Sequence, residues 1–545
     1  MSSDKTADIS SDTGTKTSQP GFGLLRSSLS VGGMTLLSRI FGLIRDLVFA
    51  QLVGASAAAD AFFVAFKIPN FFRRLFAEGA FNQAFVPVLS DYKQNQTLDQ
   101  VRFFVSRVSG TLGLCLFALT LLVLLFPQLL SIPFALGYWL GDDADDALKF
   151  AYVTEMLRLT FPYLFLISLT ALSGAILNTY GRFAVPAFTP VLLNFCLILS
   201  ALMVAPMMEV PSFALAWGVF TAGVVQLLFQ LPFLQRLQML PAPRWGWSDP
   251  GVKRVLKLML PAIFGVSVSQ INLLLDTLLA VFLPTGSVSW LYYSDRISEL
   301  PLGVFAIAVA TVILPSLSRE HLSKNPTAFS DTLDWAIRMV LLLGLPAGVA
   351  LLLLSEPILA TLFYYGDFAG REDNLPMTAL SLKAYSMGLL AFMLVKVLAP
   401  GYFSREDMKT PVRIAVIAMT ANMVMNLIFV GWLHFSFEIG HVGLALATTI
   451  AAFLNAGLLM RGLIVNNFYQ PKKDWPYFML RLSFGLGLMM LALWIFLFAW
   501  TDWTDWSLWQ RSWRLFIVCS SGALAYFVGI FVAGIRIADL RQQAS

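Results

Sequence analysis

The segment from Met34 to Tyr92 holds two apolar stretches, and eight ionisable residues stand inside them. They are Arg39, Arg45 and Asp46, then Asp60, Lys67, Arg73, Arg74 and Glu78, an excess of +2. A charge at bilayer depth costs roughly 2.5–3.5 kcal/mol on insertion scales, so such groups should face protein or a wet cavity. Arginine stays charged when desolvated and presents a planar fork of donors that suits phosphate oxygens. The chemistry these residues offer is the binding of an anion at mid-membrane depth.

Seven residues make close to two helical turns, so Arg39 shares a face with Asp46, and Asp60 with Lys67. Arg74 follows Lys67 by seven, and Glu78 lies four beyond. Ion pairs within and between helices would account for Asp46, Asp60, Lys67, Arg74 and Glu78; they leave Arg39, Arg45 and Arg73 short of acids. Pro69, beside Asn70, should kink or unwind the second stretch. That kink prevents periodicity from choosing between Arg73 and Arg74.

Two further groups lie downstream. In SVSWLYYSDRISELP, Arg296 can pair with Glu299 at i+3 or face Arg39 and Arg45 as another anion ligand, with Asp295 adjacent. Asp276 stands alone in SQINLLLDTLLA, while Asn422 and Asn426 stack four apart and Thr448 and Thr449 lie on a later span. A carboxylate, amide oxygens and a hydroxyl are hard ligands fit for a small cation such as sodium. Hydrogen bonding between helices around a protonated Asp276 would use the same groups.

Other motifs point away from catalysis. There is no HExxH, Walker A, GxSxG or paired-cysteine metal motif, and His321, His434 and His441 fall in connectors or at span edges. Cys115, Cys196 and Cys519 are odd in number and far apart, which argues against disulfides or zinc. WTDWTDWSLWQRSW reads as an aromatic belt at a membrane boundary.

The elements that must position these residues are transmembrane helices. Of 545 residues 58% are hydrophobic and 13% charged, about half the roughly 25% of a soluble domain. The mean hydropathy is +0.74. Apolar stretches of about 20 residues give fourteen candidate helices, near 28–53, 60–90, 103–132, 148–178, 183–206, 212–234, 253–283, 289–317, 333–356, 376–402, 411–434, 440–465, 477–500 and 512–535. Connectors after even-numbered spans collect the Lys and Arg residues, which places both termini in the cytoplasm. Residues 1–23 read as a disordered cytoplasmic tail. Weak matches at an offset of about 222–231 residues, PVLSDYK at 87–93 with PSLSREH at 315–321 among them, suggest two pseudo-symmetric six-helix lobes. The expected division is 24–240, 241–470, and a final helix pair with a short tail in 471–545. Lobes related by repetition, with a site between them, are a transporter design.

SRIFGLIRD at 38–46, DAFFVAFKIPNFFRRLFAEGAFNQAFVPVLSDY at 60–92, GAILNTYGRFAVPAFTP at 174–190, SVSWLYYSDR at 287–296 and VKVLAPGYFSREDMKTPV at 395–412 resemble the MurJ/MviN lipid II flippases. The resemblance runs from about residue 24 onward. It implies the multidrug/oligosaccharidyl-lipid/polysaccharide exporter fold around a central cationic cavity. The implied activity is moving an undecaprenyl-diphosphate-linked disaccharide-pentapeptide between leaflets of the bacterial cytoplasmic membrane by alternating access. It further implies cavity arginines at Arg39, Arg45, Arg73 (rather than Arg74) and Arg296, a cavity-facing acid at Asp60, and a groove for the lipid tail between the last two helices. Sodium bound by some members would correspond to Asp276, Asn422, Asn426 and Thr448, with Asn426 standing where an acid is expected.

The expected partners are lipid II or a similar polyprenyl-diphosphate glycolipid, membrane lipid and cell-wall synthesis machinery, with no nucleic acid. No cofactor is expected beyond that sodium ion. Rival readings are an exporter of another polyprenyl-linked oligosaccharide, a cation or drug antiporter of the same fold, which would want an acidic chamber, a membrane enzyme, and a scaffold, which would not need buried arginines.

Overall fold

The computed structural model describes residues 20–323 and 325–536; for 20–30 and a few positions inside helices, Glu78 among them, only the backbone is described. The expectations for the tail up to residue 19 and for the Glu78 side chain lie outside the described residues. In chain order the helices are α1 (Pro20–Val53), α2 (Ala57–Phe72), α3 (Phe81–Asn95), α4 (Leu98–Leu125), the short α5 (Gln128–Phe134) and α6 (Leu136–Leu140), α7 (Ala144–Thr160), α8 (Pro162–Thr179), α9 (Ala184–Leu199) and α10 (Ser212–Arg236). A linker leads to α11 (Pro250–Ala280), α12 (Ser287–Pro301), α13 (Ile307–Leu322), α14 (Pro326–Leu353), the short α15 (Ser355–Leu362) and α16 (Gly366–Ala369), and α17 (Asn374–Phe403). The last four are α18 (Lys409–Phe437), α19 (Gly440–Val465), α20 (Trp475–Ala499) and α21 (Leu508–Val532). No strand occurs among the described residues.

Among the described residues, 10 helices are long and apolar enough to cross a membrane: α4, α7 continuing into α8, α9 with its extension to Met207, α10, α14 and α17 to α21. Four other rods have comparable length: α1, α2 with α3, α11, and α12 with α13. These four carry all the Asp, Glu, Lys and Arg residues singled out above as candidate ligands or ion pairs. The expected helix 103–132 closes at Leu125, because Pro127 cannot continue it, and the chain turns into α5.

Proline also divides α2 from α3. Pro69 lacks the N–H that would bond the Ala65 carbonyl, and the Thr160 hydroxyl of α7 donates to that oxygen instead at 3.3 Å. A π-helical segment, Arg73–Ala80, follows. The wider turn rotates Arg73 and Arg74 away from the register that an unbroken α-helix would give them. The same plan recurs after α12, where Pro301 precedes the π-helical Leu302–Ala306. The expected single helix 289–317 is thus two helices around a π segment.

Helix pairs build two groups. In one, α2 packs on α7, α8 on α10, and α9 on α1 and α10; in the other, α17 lies against α12, α14 and α19, and α19 against α18. The pair α20–α21 leans on α14 and α15. Contacts between the groups run through α2 with α12, α1 with α16, and α11, which packs on α3 and the π turn as well as on α18.

The linker before α11 is strapped to α4. Arg244 N donates to Ser106 O at 2.9 Å, Gly246 N to Thr111 Oγ1 at 3.1 Å, and Arg107 bonds Asp249 at 2.6 Å. Asp249 in turn caps α11 by accepting from Gly251 N and Val252 N. Gly110 permits this, because a Cβ there would overlap the Arg244 backbone. Gly110→Val should therefore detach the strap, and limited trypsin treatment should then cut at Arg244 at least about tenfold faster than in the parent chain. Equal cleavage rates would show the strap to be held without that close approach.

Candidate anion-binding cavity

Between the two groups lies a cavity of about 320 Å³. Its cationic lining is Arg45, Lys67, Arg73, Arg74 and Arg296; its acidic lining is Asp276, Asp295 and Glu299, so the described walls again carry an excess of +2. Aromatic side chains Phe63, Phe66, Phe71, Tyr292 and Tyr385 complete much of the rest.

One buried carboxylate organises the arginines. Asp46 Oδ1 accepts from Arg45 Nη2 at 2.7 Å, from Arg45 Nε at 2.9 Å and from the Tyr292 hydroxyl at 2.8 Å. Arg45 also donates to Asn194 Oδ1 of α9 at 2.9 Å and to the Tyr292 oxygen at 3.0 Å. Asn194 is itself fixed by donating to the Ser38 carbonyl at 3.0 Å. Arg296 stands on the far side of Asp46, with Nε 3.8 Å from Oδ2, its guanidinium over the Tyr292 ring at 5.0 Å, and Nη1 donating to Glu299 at 2.9 Å. Its Nε is buried and has no hydrogen-bond acceptor. Thus Arg296 both pairs with Glu299 and faces Arg45, where the sequence left these as alternatives.

The other cations sit on the bent rod. Lys67 is exposed, and since it lines the cavity that exposure is to the cavity. Arg73 Nε donates to Asn70 Oδ1 at 3.1 Å, and Asn70 is held by the Phe66 carbonyl at 3.0 Å. Both Arg73 and Arg74 line the cavity, because the π turn spreads them along one wall.

Arg39 and Asp60 lie elsewhere. Arg39 is half-buried on α1 against the π segment after α12, where a Cβ on Gly303 would collide with its guanidinium, and it does not line the cavity. The shared face of Arg39 and Asp46 does not become a pair, since Asp46 is taken by Arg45. Asp60 does not meet Lys67 or line the cavity. It is 1% exposed and caps α12, accepting from Gly286 N at 2.6 Å, from Ser289 N at 2.8 Å and from the Ser289 hydroxyl. Gly286, at the N-cap, has no side chain to do this. Nearby, Tyr293 Oη donates to Gly54 O at 2.8 Å, and a Cβ on Gly54 would stand 2.9 Å from the Asp367 backbone. The α1–α2 turn is thus closed down on α12 and α16.

The four oxygen-bearing residues in the other group do converge. Asn426 Nδ2 donates to Asp276 Oδ1 at 2.8 Å and to Asn422 Oδ1 at 2.9 Å; Thr448 Oγ1 donates to Asp276 Oδ2 at 3.3 Å and accepts from Asn422 Nδ2 at 3.3 Å. Asn422 and Asn426 are fully buried, and Asn426 Oδ1 is left without a partner. Rotating that amide by half a turn would bring Oδ1 to Asp276 and leave a set of oxygens that fits a small hard cation.

Sequence reasoning missed Tyr292 and Asn194. Tyr292 lies four residues before Arg296, hence on its face of α12, and Asn194 is a polar residue in an otherwise apolar span; both signals were legible.

Comparison with known proteins bears on the family and the fold. A family profile described as "Lipid II flippase MurJ" matches residues 49–514. A Vibrio cholerae serotype O1 protein described as "Probable lipid II flippase MurJ" is 49% identical over 520 residues, covering 95% of this chain and 98% of the relative. The Burkholderia cenocepacia "Lipid II flippase MurJ" is 40% identical, covering 96% and 99%. Among solved structures, "Lipid II flippase MurJ, inward closed conformation" superposes with a TM-score of 0.75 at 28% identity over 92% of this chain and 97% of that one. An inward-facing multidrug resistance MATE transporter of the MOP superfamily shares the fold, with a TM-score of 0.64 at 14% identity over 81% of this chain and 98% of that one. A multi-pass helical fold, a net-cationic cavity between two helix groups and relatives matched over nearly their full lengths place this chain in the MurJ lipid II flippase family.

Proposed function

We propose that this chain carries lipid II across the membrane by admitting its diphosphate-sugar head to the cavity while the polyprenyl tail stays in lipid. The observation that carries this reading is the Arg45–Asp46–Tyr292–Arg296 arrangement in a lining with more cations than acids. Asp46 holds two guanidinium groups close together without exhausting their donors. A diphosphate entering there can meet the cavity-facing edge of the Arg296 guanidinium and draw on Lys67, Arg73 and Arg74, which line the same cavity. Charge-assisted hydrogen bonds contribute about 1.5–3 kcal/mol each, so a few suffice for selective capture. Aromatic faces at Phe66 and Tyr385 give the sugar rings apolar surfaces to lie against.

Two six-helix lobes, residues 24–240 and 241–470, rocking about the cavity account for access from either side; the matching Pro–π interruptions after α2 and α12 support that division. Arg39, two turns along α1 from Asp46, belongs to the path by which the head group reaches Arg45. The apolar outer surface of the α20–α21 pair is the seat we assign to the tail. Depletion of the chain should raise the inner-leaflet pool of lipid II while the molecular mass of the lipid stays unchanged. An altered lipid mass would favour an enzyme, and an unchanged leaflet distribution a scaffold.

A cation-linked version is favoured by the unpartnered Asn426 Oδ1. Asp276, Asn422, Asn426 and Thr448 would hold sodium, whose charge would offset the Asp276 carboxylate. Sodium in place of choline at equal ionic strength should then raise the Tm of the purified protein by a few degrees, as mass action on a folded-state site requires. Asp276→Asn should remove that shift; a shift that survives the substitution would assign the effect elsewhere.

A further inference from the structure

A second cavity, of about 250 Å³, lies where the end of α13, the start of α14, the turn after α17 and the chain after α19 meet. Its lining includes Glu320, His321, Asn325, Phe329, Arg405 and Phe468. The Arg405 guanidinium carbon lies 3.2 Å over the Phe468 ring and 5.9 Å from that of Phe329. Stacking occupies the faces of the guanidinium plane, while the donors lie along its edge. Among the described residues no side-chain hydrogen bond or ion pair engages those donors, and the Asp407 carboxylate two residues on acts on them only through space.

The same cavity holds the opposite deficit. Glu320 Oε1 accepts from the Thr332 hydroxyl at 2.7 Å, and Oε2 is buried with no donor. Arg405 and Glu320 do not pair with each other, so one cavity presents unspent cationic donors and an unspent carboxylate oxygen. Leaving either unmatched costs free energy that a ligand bearing both an anion and an ammonium would recover. The chain beside the lining is apolar and outward-facing: Leu322 is 81% exposed, Met408 58% and Val465 67%. Such residues at the ends of long apolar helices belong in the lipid interface rather than in bulk water.

We propose that this cavity seats the head group of an aminophospholipid, with the phosphodiester on Arg405 and the primary ammonium on Glu320, separate from the cavity that takes the transported substrate. The test is native mass spectrometry of the full chain in detergent with phosphatidylethanolamine and phosphatidylglycerol in competition, and with soluble glycerophosphoethanolamine as a third arm. The wild type should retain phosphatidylethanolamine over phosphatidylglycerol by about tenfold, the factor expected of one charge-assisted bond. Glu320→Gln should erase the preference and keep both lipids, while Arg405→Gln should weaken both by about tenfold.

Equal retention of the two lipids by the wild type would overturn the proposal, and that measurement needs no variant to fold. A preference that persists in Glu320→Gln would overturn the ammonium assignment. Soluble glycerophosphoethanolamine binding as tightly as the lipid would show a site for a free phosphodiester instead.

Discussion

Arg296→Ala is expected to abolish growth support in a strain depleted of the native transporter, with membrane levels unchanged. The substitution lowers the cavity excess from +2 to +1 and removes the donor fork nearest Arg45. It also leaves Asp46 to Arg45 and Tyr292 alone, and Glu299 without its partner at 2.9 Å. Losing one charge-assisted interaction of about 1.5–3 kcal/mol should weaken head-group binding roughly 10- to 150-fold. Arg296→Lys should recover only part of this, because an ammonium is a point charge without a planar fork. Glu299→Gln should preserve function, since it removes a competitor for Arg296 rather than a ligand. Complementation by immunoblot-matched variants reads all three; full growth with Arg296→Ala would remove this residue from the binding site.

The second large effect is expected at Asp60. Its carboxylate joins α2 to the N terminus of α12 through two backbone N–H groups and one hydroxyl, where the helix dipole favours negative charge. In Asp60→Asn, one oxygen becomes a donor facing those donors. The contact should weaken by about 2 kcal/mol, which shifts a two-state equilibrium by about 30-fold toward separation of α12 from α2. Cysteines at Gln51 and Asp367, which flank the closed α1–α16 contact, report it: cross-linking in Asp60→Asn should fall sharply against the Asp60 parent. Transport should fall with it, although Asp60 does not line the cavity. Undiminished cross-linking would mean that α12 is held by its packing and not by this cap.

The contrast between these two residues shows what a sequence can and cannot disclose. Both are charges inside apolar helices, and hydropathy flags both in the same way. Arg296 could be tied to Glu299 by spacing alone, since residues three apart on a helix are neighbours whatever surrounds them. Asp60 and Lys67 share a face by the same rule, yet Asp60 turns to a helix more than two hundred residues away, and Lys67 opens into the cavity. Asp46 could be matched to Arg39 by periodicity; the fold gives it to Arg45, Tyr292 and Arg296. The π turn after Pro69 was legible only as a kink, and its consequence, that Arg73 and Arg74 both line the wall, depends on how far that turn widens.

The sequence by itself determined the membrane class, the helices that carry the charges, the surplus of cations among them and the stacking of Asn422 and Asn426 on one helix face. Those are sums and periodicities along one chain, fixed by composition and the geometry of a helix. Tertiary structure decided which carboxylate neutralises which guanidinium, that Asp60 caps a helix, and that Arg39 stands outside the cavity. A hydrogen bond forms or fails within about 3 Å, and the rotation and crossing of helices distant in sequence set that separation.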